Sequence, residues 1–217
     1  MKVLTVNVGV PITMPGKRNG QSGIDKRPVD GPVSVTAPGP KGNGAVGLAG
    51  DHAYQVKHHG GADQAIYAYA REDLDGWEGE LGRTLPNGAF GENLTTAGVD
   101  VNGALIGERW RVGADVVLEV SCPRIPCTVF ERWLDKPGWI KRFTHAGLPG
   151  AYLRVVTPGD VQAGDPIELV HLPEHDVTIT FMMRALTLEP DLLPRLVAAG
   201  HALPAETTAL IRKRSSG

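Results

Sequence analysis

Short β-forming runs separated by glycine and proline turns are the feature that most constrains the fold of this chain. The 217 residues include 28 Gly and 17 Pro. Runs such as Val116–Val120 and Ala151–Val156 are rich in β-branched residues, and turn pairs such as Gly159-Asp160 and Gly164-Asp165 follow the second of them. Several short strands at close spacing are typical of a β-barrel or a β-sandwich. The pattern therefore predicts a mainly β domain, with both architectures open.

The composition changes after about His175, and this change predicts two domains. Residues 1–172 contain the β-rich runs. Three short helical segments follow, at Val177–Leu186, Pro190–Ala199 and Pro204–Arg212. The second segment has an apolar stripe, and Pro194 predicts a kink within it. We expect a β domain over 1–172 that folds without the tail, and a small three-helix domain over 173–217.

Charge and hydropathy exclude several classes of partner. The formal net charge of −2 gives no basic excess for nucleic acid, and the basic cluster is confined to Arg212–Arg214 near the end. No apolar run approaches the roughly 18 residues that span a membrane. The first residues predict a strand, not a signal peptide, so we expect a cytoplasmic protein. There, two cysteines are more often reactive or metal-ligating than paired in a disulfide.

Local patterns predict one loop and one helix in the first half of the chain. Residues 11–27 are polar and rich in Gly, Lys, Arg and Asn, which predicts a surface loop or a lid. Residues 71–81 place Leu74, Trp77 and Leu81 on one helical face, and Gly82 predicts the end of that helix.

The segment Ser121–Cys127 is the strongest candidate for chemistry. It follows an apolar strand, and its two prolines predict that Cys127 lies at the rim of a sheet. Arg124 lies three residues earlier, and a nearby guanidinium stabilises the thiolate form, which attacks electrophiles and binds soft metals. The alternative is that Cys127 is a small buried apolar residue. Cys122 ends the apolar run, and for it we expect burial.

Two further patches concentrate polar groups. His52 and His58–Ala65 bring three of the seven histidines close to Asp51, Asp63 and the pair Gly60-Gly61. Zinc is one interpretation, although no zinc-ligand spacing is present. The other interpretation is that these histidines only form hydrogen bonds to loop backbone. This interpretation is favoured for His52 and His58 and is left open for His59. The second patch places Glu92 and Asn93 after a glycine-rich bend, which suits a polar ligand.

Several motifs, in this order, resemble the MOSC domain family in its YiiM-like subgroup, over about residues 1–172. They are Ser-Gly-Ile-Asp-Lys-Arg-Pro-Val (22–29), Gly-Leu-Ala-Gly-Asp (47–51), His-His-Gly-Gly-Ala-Asp-Gln-Ala (58–65), Phe-Gly-Glu-Asn-Leu (90–94), Pro-Arg-Ile-Pro-Cys (123–127), Gly-Ala-Tyr-Leu-Arg-Val (150–155) and Gly-Asp-Pro-Ile (164–167). The tail is similar to the three-α-helix domain of that subgroup. The resemblance implies a MOSC β-barrel, similar to the pyruvate kinase barrel, with a small C-terminal helical appendage.

The resemblance also implies a function. MOSC proteins of this kind hold a molybdopterin cofactor whose molybdenum is bound by a cysteine, and the matching position is Cys127 because the family motif ends in Pro-Cys. The implied activity is reduction of N-hydroxylated bases and related N-oxygenated compounds, with an electron-donor protein as partner. A thiolate is a suitable soft ligand for such a metal.

Roles for the remaining polar residues are expected on this basis. The phosphate of the cofactor is best bound by cationic side chains, and backbone amides can donate further hydrogen bonds to it. The candidate cations are Lys26, Arg124 and Arg154, and the candidate amides are those of Gly60 and Gly61. Carboxylates and imidazoles suit proton transfer or hydrogen bonds to the pterin; these are His59, Asp63 and Glu92, with Asn93 at the pterin edge. Two alternatives stay open: a non-catalytic carrier of cofactor or of sulfur on Cys127, and a zinc-dependent hydrolase at His59.

Overall fold

The protein is described here from a computed structural model, which covers residues 1–14, 20–54 and 59–215. The strands are β1 Lys2–Thr13, β2 Gln21–Val29, β3 Val33–Val35, β4 Ile66–Ala70, β5 Leu94–Ala97, β6 Arg109–Val112, β7 Val116–Pro123, β8 Ala151–Thr157, β9 Gly159–Val161 and β10 Ile167–His171. The α-helices are α1 Arg71–Leu81, α2 Thr128–Trp133, α3 Trp139–Ala146, α4 Ile179–Thr187 and α5 Ala205–Ser215. Two 3-10 segments cover Ala62–Gln64 and Pro190–Ala202.

Eight of these strands form one sheet that closes on itself. Its order is β10-β6-β7-β8-β4-β5-β1-β2, with β4 and β5 parallel and the other neighbours antiparallel. The start of β1 also reaches β10, because Ile167 N donates to Met1 O at 2.9 Å and Val3 N donates to Asp165 O at 2.9 Å. Strands β3 and β9 form a separate pair. The predicted mainly β fold is confirmed, and between the two architectures left open the chain adopts the barrel.

The loop predicted over residues 11–27 is wrong at both ends. β1 continues through Thr13, and β2 begins at Gln21 and pairs with it, so that Gly9 lies opposite Lys26. The two strands are held together by backbone hydrogen bonds, which do not require apolar side chains. Much of the ribbon is exposed, and its polar composition therefore resembled that of a loop. Residues 15–19 lie outside the described part of the chain.

The predicted helix over 71–81 is confirmed as α1. Leu74 and Trp77 are buried, and Gly82 ends the helix in the left-handed conformation with φ of 66°. Its amide donates to Glu78 O at 2.9 Å, so the end of the helix has the glycine cap that the sequence predicts.

The C-terminal segment packs directly on the barrel. Val177 O accepts from Ile106 N at 3.0 Å, and Ile179 N donates to Ala104 O at 3.0 Å. Buried residues of the tail and of the barrel belong to one hydrophobic cluster. The predicted kink at Pro194 is displaced, because helical geometry breaks at Gly200, with φ of 54° and ψ of −127°. The domain boundary at residue 172 stays a prediction.

A second hydrophobic cluster is aromatic and lies beside β4. Trp77 meets Trp139 with ring centroids 4.7 Å apart, and Phe90 meets Phe130 at 5.1 Å. Edge-to-face pairs of this kind add to the free energy gained from area burial alone. The cluster anchors α1, α2 and α3 against the sheet.

Among the described residues, no helix combines the length and apolar character that crossing a membrane requires.

Candidate functional site

A cavity of about 130 Å³ lies where the ends of β2, β4, β7 and β8 meet. Six of the residues predicted for the site line it, and they come from separate parts of the chain: Lys26, His59, Gly60, Asn93, Arg124 and Cys127. Other lining residues include Asp51, Gln64, Tyr67 and Tyr152. We call this the first cavity. It brings the predicted cysteine, two cations and one amide together.

Cys127 is half-buried and lines the first cavity. β7 ends at Pro123, and the chain then turns so that Cys127 lies in extended geometry directly before α2, with φ of −132° and ψ of 169°. Cys122 lies within β7 and is buried, as predicted. Burial raises the pKa of the Cys122 thiol to about 11, which suppresses its thiolate.

Arg124 places a buried positive charge in the same lining. Its guanidinium lies 4.1 Å from the ring centre of Phe130 and 4.9 Å from that of Tyr67, and it donates a hydrogen bond to Phe90 O. Within the described ranges, no carboxylate forms an ion pair with it. Aromatic faces stabilise a cation less than a carboxylate does. The arrangement therefore favours an anionic group in the first cavity.

Lys26 is paired with Asp51, a residue that sequence reasoning did not select. Lys26 Nζ lies 2.5 Å from Asp51 Oδ2, and both side chains are less than 10% exposed. Burial favours the neutral carboxyl, but the Lys26 ammonium and hydrogen bonds from Lys26 and Asn93 outweigh it and lower the pKa of Asp51. Asp51 ends the motif Gly-Leu-Ala-Gly-Asp, and the carboxylate of that motif is the sequence signal that could have identified it.

Asn93 connects this pair to the sheet. Its Oδ1 accepts from Tyr67 N at 3.1 Å, and its Nδ2 donates to Asp51 Oδ2 at 2.8 Å. The side-chain amide thus uses its acceptor and a donor to hold the β4 and Asp51 segments at the wall of the first cavity. The predicted contact of Asn93 with a pterin stays a prediction.

Tyr67 and Tyr152 are aromatic lining residues that the sequence analysis did not assign to the site. Their ring centroids are 5.1 Å apart, and the Tyr67 hydroxyl donates to Pro149 O at 2.7 Å. Burial raises the pKa of both phenols, that of Tyr152 to about 12. Both therefore stay protonated at neutral pH. A strand pattern with aromatic residues on one face predicts only core, so no local signal distinguished them.

Glu92 lies outside the lining of the first cavity and is completely buried. Its carboxylate accepts hydrogen bonds from Gly88 N at 2.5 Å, Phe90 N at 3.0 Å and Thr95 Oγ1 at 2.8 Å. Burial raises the pKa of Glu92, and these donors oppose the shift. In this geometry Glu92 stabilises the bend that leads into β5. Gly88 is required in that bend, because a Cβ there would lie 2.2 Å from Lys26 O.

Asp63, Arg154 and Gly61 also lie outside the first cavity. Arg154 Nε donates to Asp63 Oδ1 at 2.5 Å, and its Nη1 donates to Glu119 Oε1 at 2.9 Å. Gly61, with φ of 82°, packs against the backbone of Lys41, where a Cβ would lie 2.7 Å from the Lys41 amide. The structure thus separates these three residues from the other predicted phosphate and proton-transfer groups.

The histidine-rich segment of residues 52–65 does not assemble a metal centre among the described residues. No group of three His, Cys, Asp or Glu side chains there has the spacing to hold a metal ion. His52 Nδ1 lies 3.2 Å from Gly9 O, which confirms the predicted backbone contact. His59 lines the first cavity, and His58 lies outside the described residues.

Gln64 is a further lining residue with an unusual feature. Its Oε1 is buried and has no hydrogen-bond partner within the described structure. Buried acceptors are normally satisfied, so an unpaired amide oxygen in a cavity wall is suited to a ligand with N–H donors.

Comparison with known proteins assigns the family. The MOSC domain family model matches residues 55–168. The chain is 34% identical over 184 residues to the Bacillus subtilis "Uncharacterized protein YflK", spanning 84% of this chain and 79% of that one. It is 31% identical over 202 residues to Escherichia coli "Protein YiiM", spanning 90% and 86%. A Gibberella moniliformis protein named "Reductase" is 34% identical over 156 residues, which are 70% of this chain and 26% of that protein.

Solved structures agree with this assignment. YiiM from Geobacillus stearothermophilus superposes with a TM-score of 0.77 at 28% identity, covering 98% of each chain. YiiM from Escherichia coli superposes with a TM-score of 0.71 at 27% identity, covering 100% of this chain and 94% of that one. The predicted resemblance is confirmed: the chain belongs to the MOSC domain family and is YiiM-like.

Proposed function

We propose that this protein is a molybdenum-cofactor-dependent reductase of N-hydroxylated bases and related N-oxygenated compounds. MOSC domains bind the molybdenum cofactor, and one relative of the chain is named a reductase. The substrate class comes from the resemblance described above and is the part of the proposal that experiment must establish.

The observation that supports this proposal most is that a half-buried thiol and a buried cation line the same cavity. Cys127 and Arg124 line the same cavity, three residues apart, and no described carboxylate neutralises Arg124. A buried charge without a counterion costs several kcal/mol. An anionic cofactor would remove this cost, and the Cys127 sulfur would be a soft ligand for its metal.

The other lining groups fit the same cofactor. Arg124 and Lys26 are the cations of the lining, although Lys26 is already paired with Asp51. Gln64 Oε1, which has no partner among the described residues, is suited to the polar edge of a pterin. The Asn93 amide is already bound to Tyr67 N and Asp51, so it would act by holding the wall beside the pterin. Cys127 would bind the metal, and these residues would hold and orient the organic part.

When bound, the cofactor would supply the two-electron chemistry that breaks the N–O bond. For an N-hydroxylated base the reaction is R–NH–OH + 2 H⁺ + 2 e⁻ → R–NH₂ + H₂O. An electron-donor protein would supply the electrons. His59 lines the first cavity and is the candidate for moving a proton to the leaving oxygen. The predicted roles of Asp63, Glu92, Gly61 and Arg154 are not used in this proposal.

Metal and pterin analysis of the purified protein tests the proposal. Produced in a host that makes the cofactor, the protein should contain molybdenum and yield a fluorescent pterin oxidation product, and it should reduce an N-hydroxylated base. Cys127→Ser should retain less molybdenum while its circular dichroism spectrum is unchanged. Stoichiometric zinc without pterin would contradict the proposal, and a persulfide on Cys127 without metal would indicate a sulfur carrier.

A further inference from the structure

A second cavity, of about 330 Å³, lies between the barrel and the C-terminal helices. Barrel residues Cys122, Pro123 and Ile125 form one side of it, and Pro40, Lys41 and residues 60–64 contribute further lining. The tail forms the other side, with Met182, Leu186, Pro204, Ala205, Glu206 and Thr207. Gly60 and Gln64 line both cavities, so this segment separates the second cavity from the first.

The most buried residues in the lining of the second cavity include apolar Met182 and Cys122. Met182 is fully buried, Cys122 is 8% exposed, and both belong to the hydrophobic cluster shared by barrel and tail. Small-molecule sites usually have volumes of about 300–1,000 Å³ and mainly apolar walls. The second cavity is at the lower end of this range, which corresponds to a ligand of one or two rings.

The charged residues of the lining are already paired. Lys41 Nζ donates to Glu206 Oε1 at 2.9 Å, and Arg154 donates to Asp63. An ionic ligand would have to displace one of these partners, whereas a neutral ligand would leave both ion pairs intact. The chemistry of the cavity therefore favours an uncharged compound.

We propose that the second cavity is a binding site for a neutral, mainly apolar ring compound, separate from the cofactor site. The lining comes mostly from residues before the tail, with a smaller share from the tail, so the ligand would contact both parts of the chain. It needs neither bound molybdenum nor reductase activity, so its test is independent of the proposed function.

Titration with indole, followed by NMR of protein labelled with ¹³C at the methionine methyl groups, tests this site. Indole is neutral and has two fused rings. The Met182 methyl resonance should shift and saturate with increasing indole, because this side chain lines the cavity. The Met1 resonance should not move, because Met1 is 51% exposed and lies outside the lining.

A matched pair of substitutions near the end of α4 localises the binding. Leu186→Trp places a large side chain in the cavity and should weaken indole binding at least tenfold. Leu188→Trp, two residues further on, lies outside the lining and should change the affinity less than twofold. If Leu186→Trp does not fold, Ile125→Trp fills the cavity from the barrel side at a position that is 44% exposed.

Two results would overturn this assignment. One is a Met182 shift that is absent or rises without saturation together with that of Met1. The other is equal weakening of indole binding by the Leu186 and Leu188 substitutions.

Discussion

The two cavities lie on opposite sides of residues 60–64, and each contains one of the two cysteines. The first cavity combines half-buried Cys127 with buried Arg124, which forms no ion pair with any carboxylate of the described residues. The second combines buried Cys122 with charges that are paired. The two thiols are five residues apart in the chain, and they lie in different electrostatic surroundings.

This difference shows that the position of a cysteine relative to a strand decides its chemistry. Cys122 points into the hydrophobic cluster from within β7, and burial raises the pKa of its thiol. Cys127 follows the strand and two prolines, where no ladder partner covers it. Five experiments test this contrast.

Truncation after Leu172 should have the largest effect, because it removes one side of the second cavity together with part of the shared core. Each buried tail side chain, such as Val177, Ile179 or Met182, contributes about 1.5–3 kcal/mol. Several such losses together are comparable to the 5–15 kcal/mol by which a typical domain is stable. The sequence predicts a 1–172 domain that folds without the tail, but because the core is shared we expect truncation to abolish the cooperative thermal transition in circular dichroism. A truncated protein that unfolds cooperatively would instead support an independent barrel with a boundary at residue 172.

Serine substitution of each cysteine compares the two cavities directly. If the proposed reductase activity is present, Cys127→Ser should reduce it to the background of cofactor-free protein, because an alcohol is a harder and less acidic ligand than a thiol. Cys122→Ser should retain activity and lose about 1 kcal/mol in unfolding free energy, since its hydroxyl would be buried. Activity is measured at equal molybdenum content. Equal loss in both variants would mean that the ligand is misassigned or that both thiols take part.

Lys26→Met tests the buried pair in the wall of the first cavity. The substitution leaves the Asp51 carboxylate buried without its ammonium, and the unfolding free energy should fall by about 3–5 kcal/mol at pH 7. Because the pKa of Asp51 is lowered in the folded protein, the pair stabilises the fold above the unfolded carboxyl pKa of about 3.9. This contribution disappears as the pH falls through the lowered value.

Arg27→Met is the matched control for Lys26→Met, at the next position along β2. Arg27 pairs with Asp25, but its side chain is 66% exposed, so solvent screens the pair and the loss of unfolding free energy should be much smaller than for Lys26→Met. Urea unfolding of both variants measures the difference. Equal destabilisation by the two substitutions would show that the Lys26–Asp51 pair has no special role.

Alkylation of Cys122 by iodoacetamide, followed in the Cys127→Ser variant, should report the raised pKa. With a thiol pKa of about 11 instead of the usual value near 9, the thiolate fraction at pH 8 is about a hundredfold lower. The rate should rise about tenfold per pH unit until about pH 11. Mass spectrometry gives the rate, and a plateau near pH 9 would show that the second cavity does not suppress the thiolate.

Lys41→Ala should have the smallest effect, because it removes an exposed ion pair at the second cavity. The Glu206 side chain is 73% exposed, and such pairs contribute about 0.2–1 kcal/mol. Thermal unfolding of the variant, with Glu206→Ala and the double variant to complete the cycle, measures the coupling. A coupling free energy well above this range would show that the Lys41–Glu206 ion pair stabilises the fold more than its exposure indicates.

Features that depend on a few neighbouring residues were predictable from the sequence. The end of α1 at Gly82, the burial of Cys122 and the position of Cys127 just beyond the end of β7 follow from local backbone preferences and from the apolar run of β7. The sequence left open whether Cys127 is presented or buried, and in the structure it is half-buried. The family was predictable because its motifs occur in a fixed order, although each is weak alone.

Features that depend on distant partners required the tertiary structure. The sequence contains Asp51 and Lys26, but only the β1–β2 ribbon and the Asn93 amide bring them to one wall. Arg154 and Asp63 were expected at the cofactor from their charge and their place in the family motifs, and only the fold shows that they also bind each other beside the tail. A charged side chain has many possible partners, and long-range packing decides which one it meets.

The sequence by itself therefore determined the strand-rich class, the segment with the thiol and the residue types available for chemistry, since these depend on composition and local conformation. Only the tertiary structure decided which carboxylate each described cation meets, which cavity each cysteine lines, and that the tail shares the barrel core. The physical reason is that burial and charge pairing are properties of contacts between segments far apart in the chain.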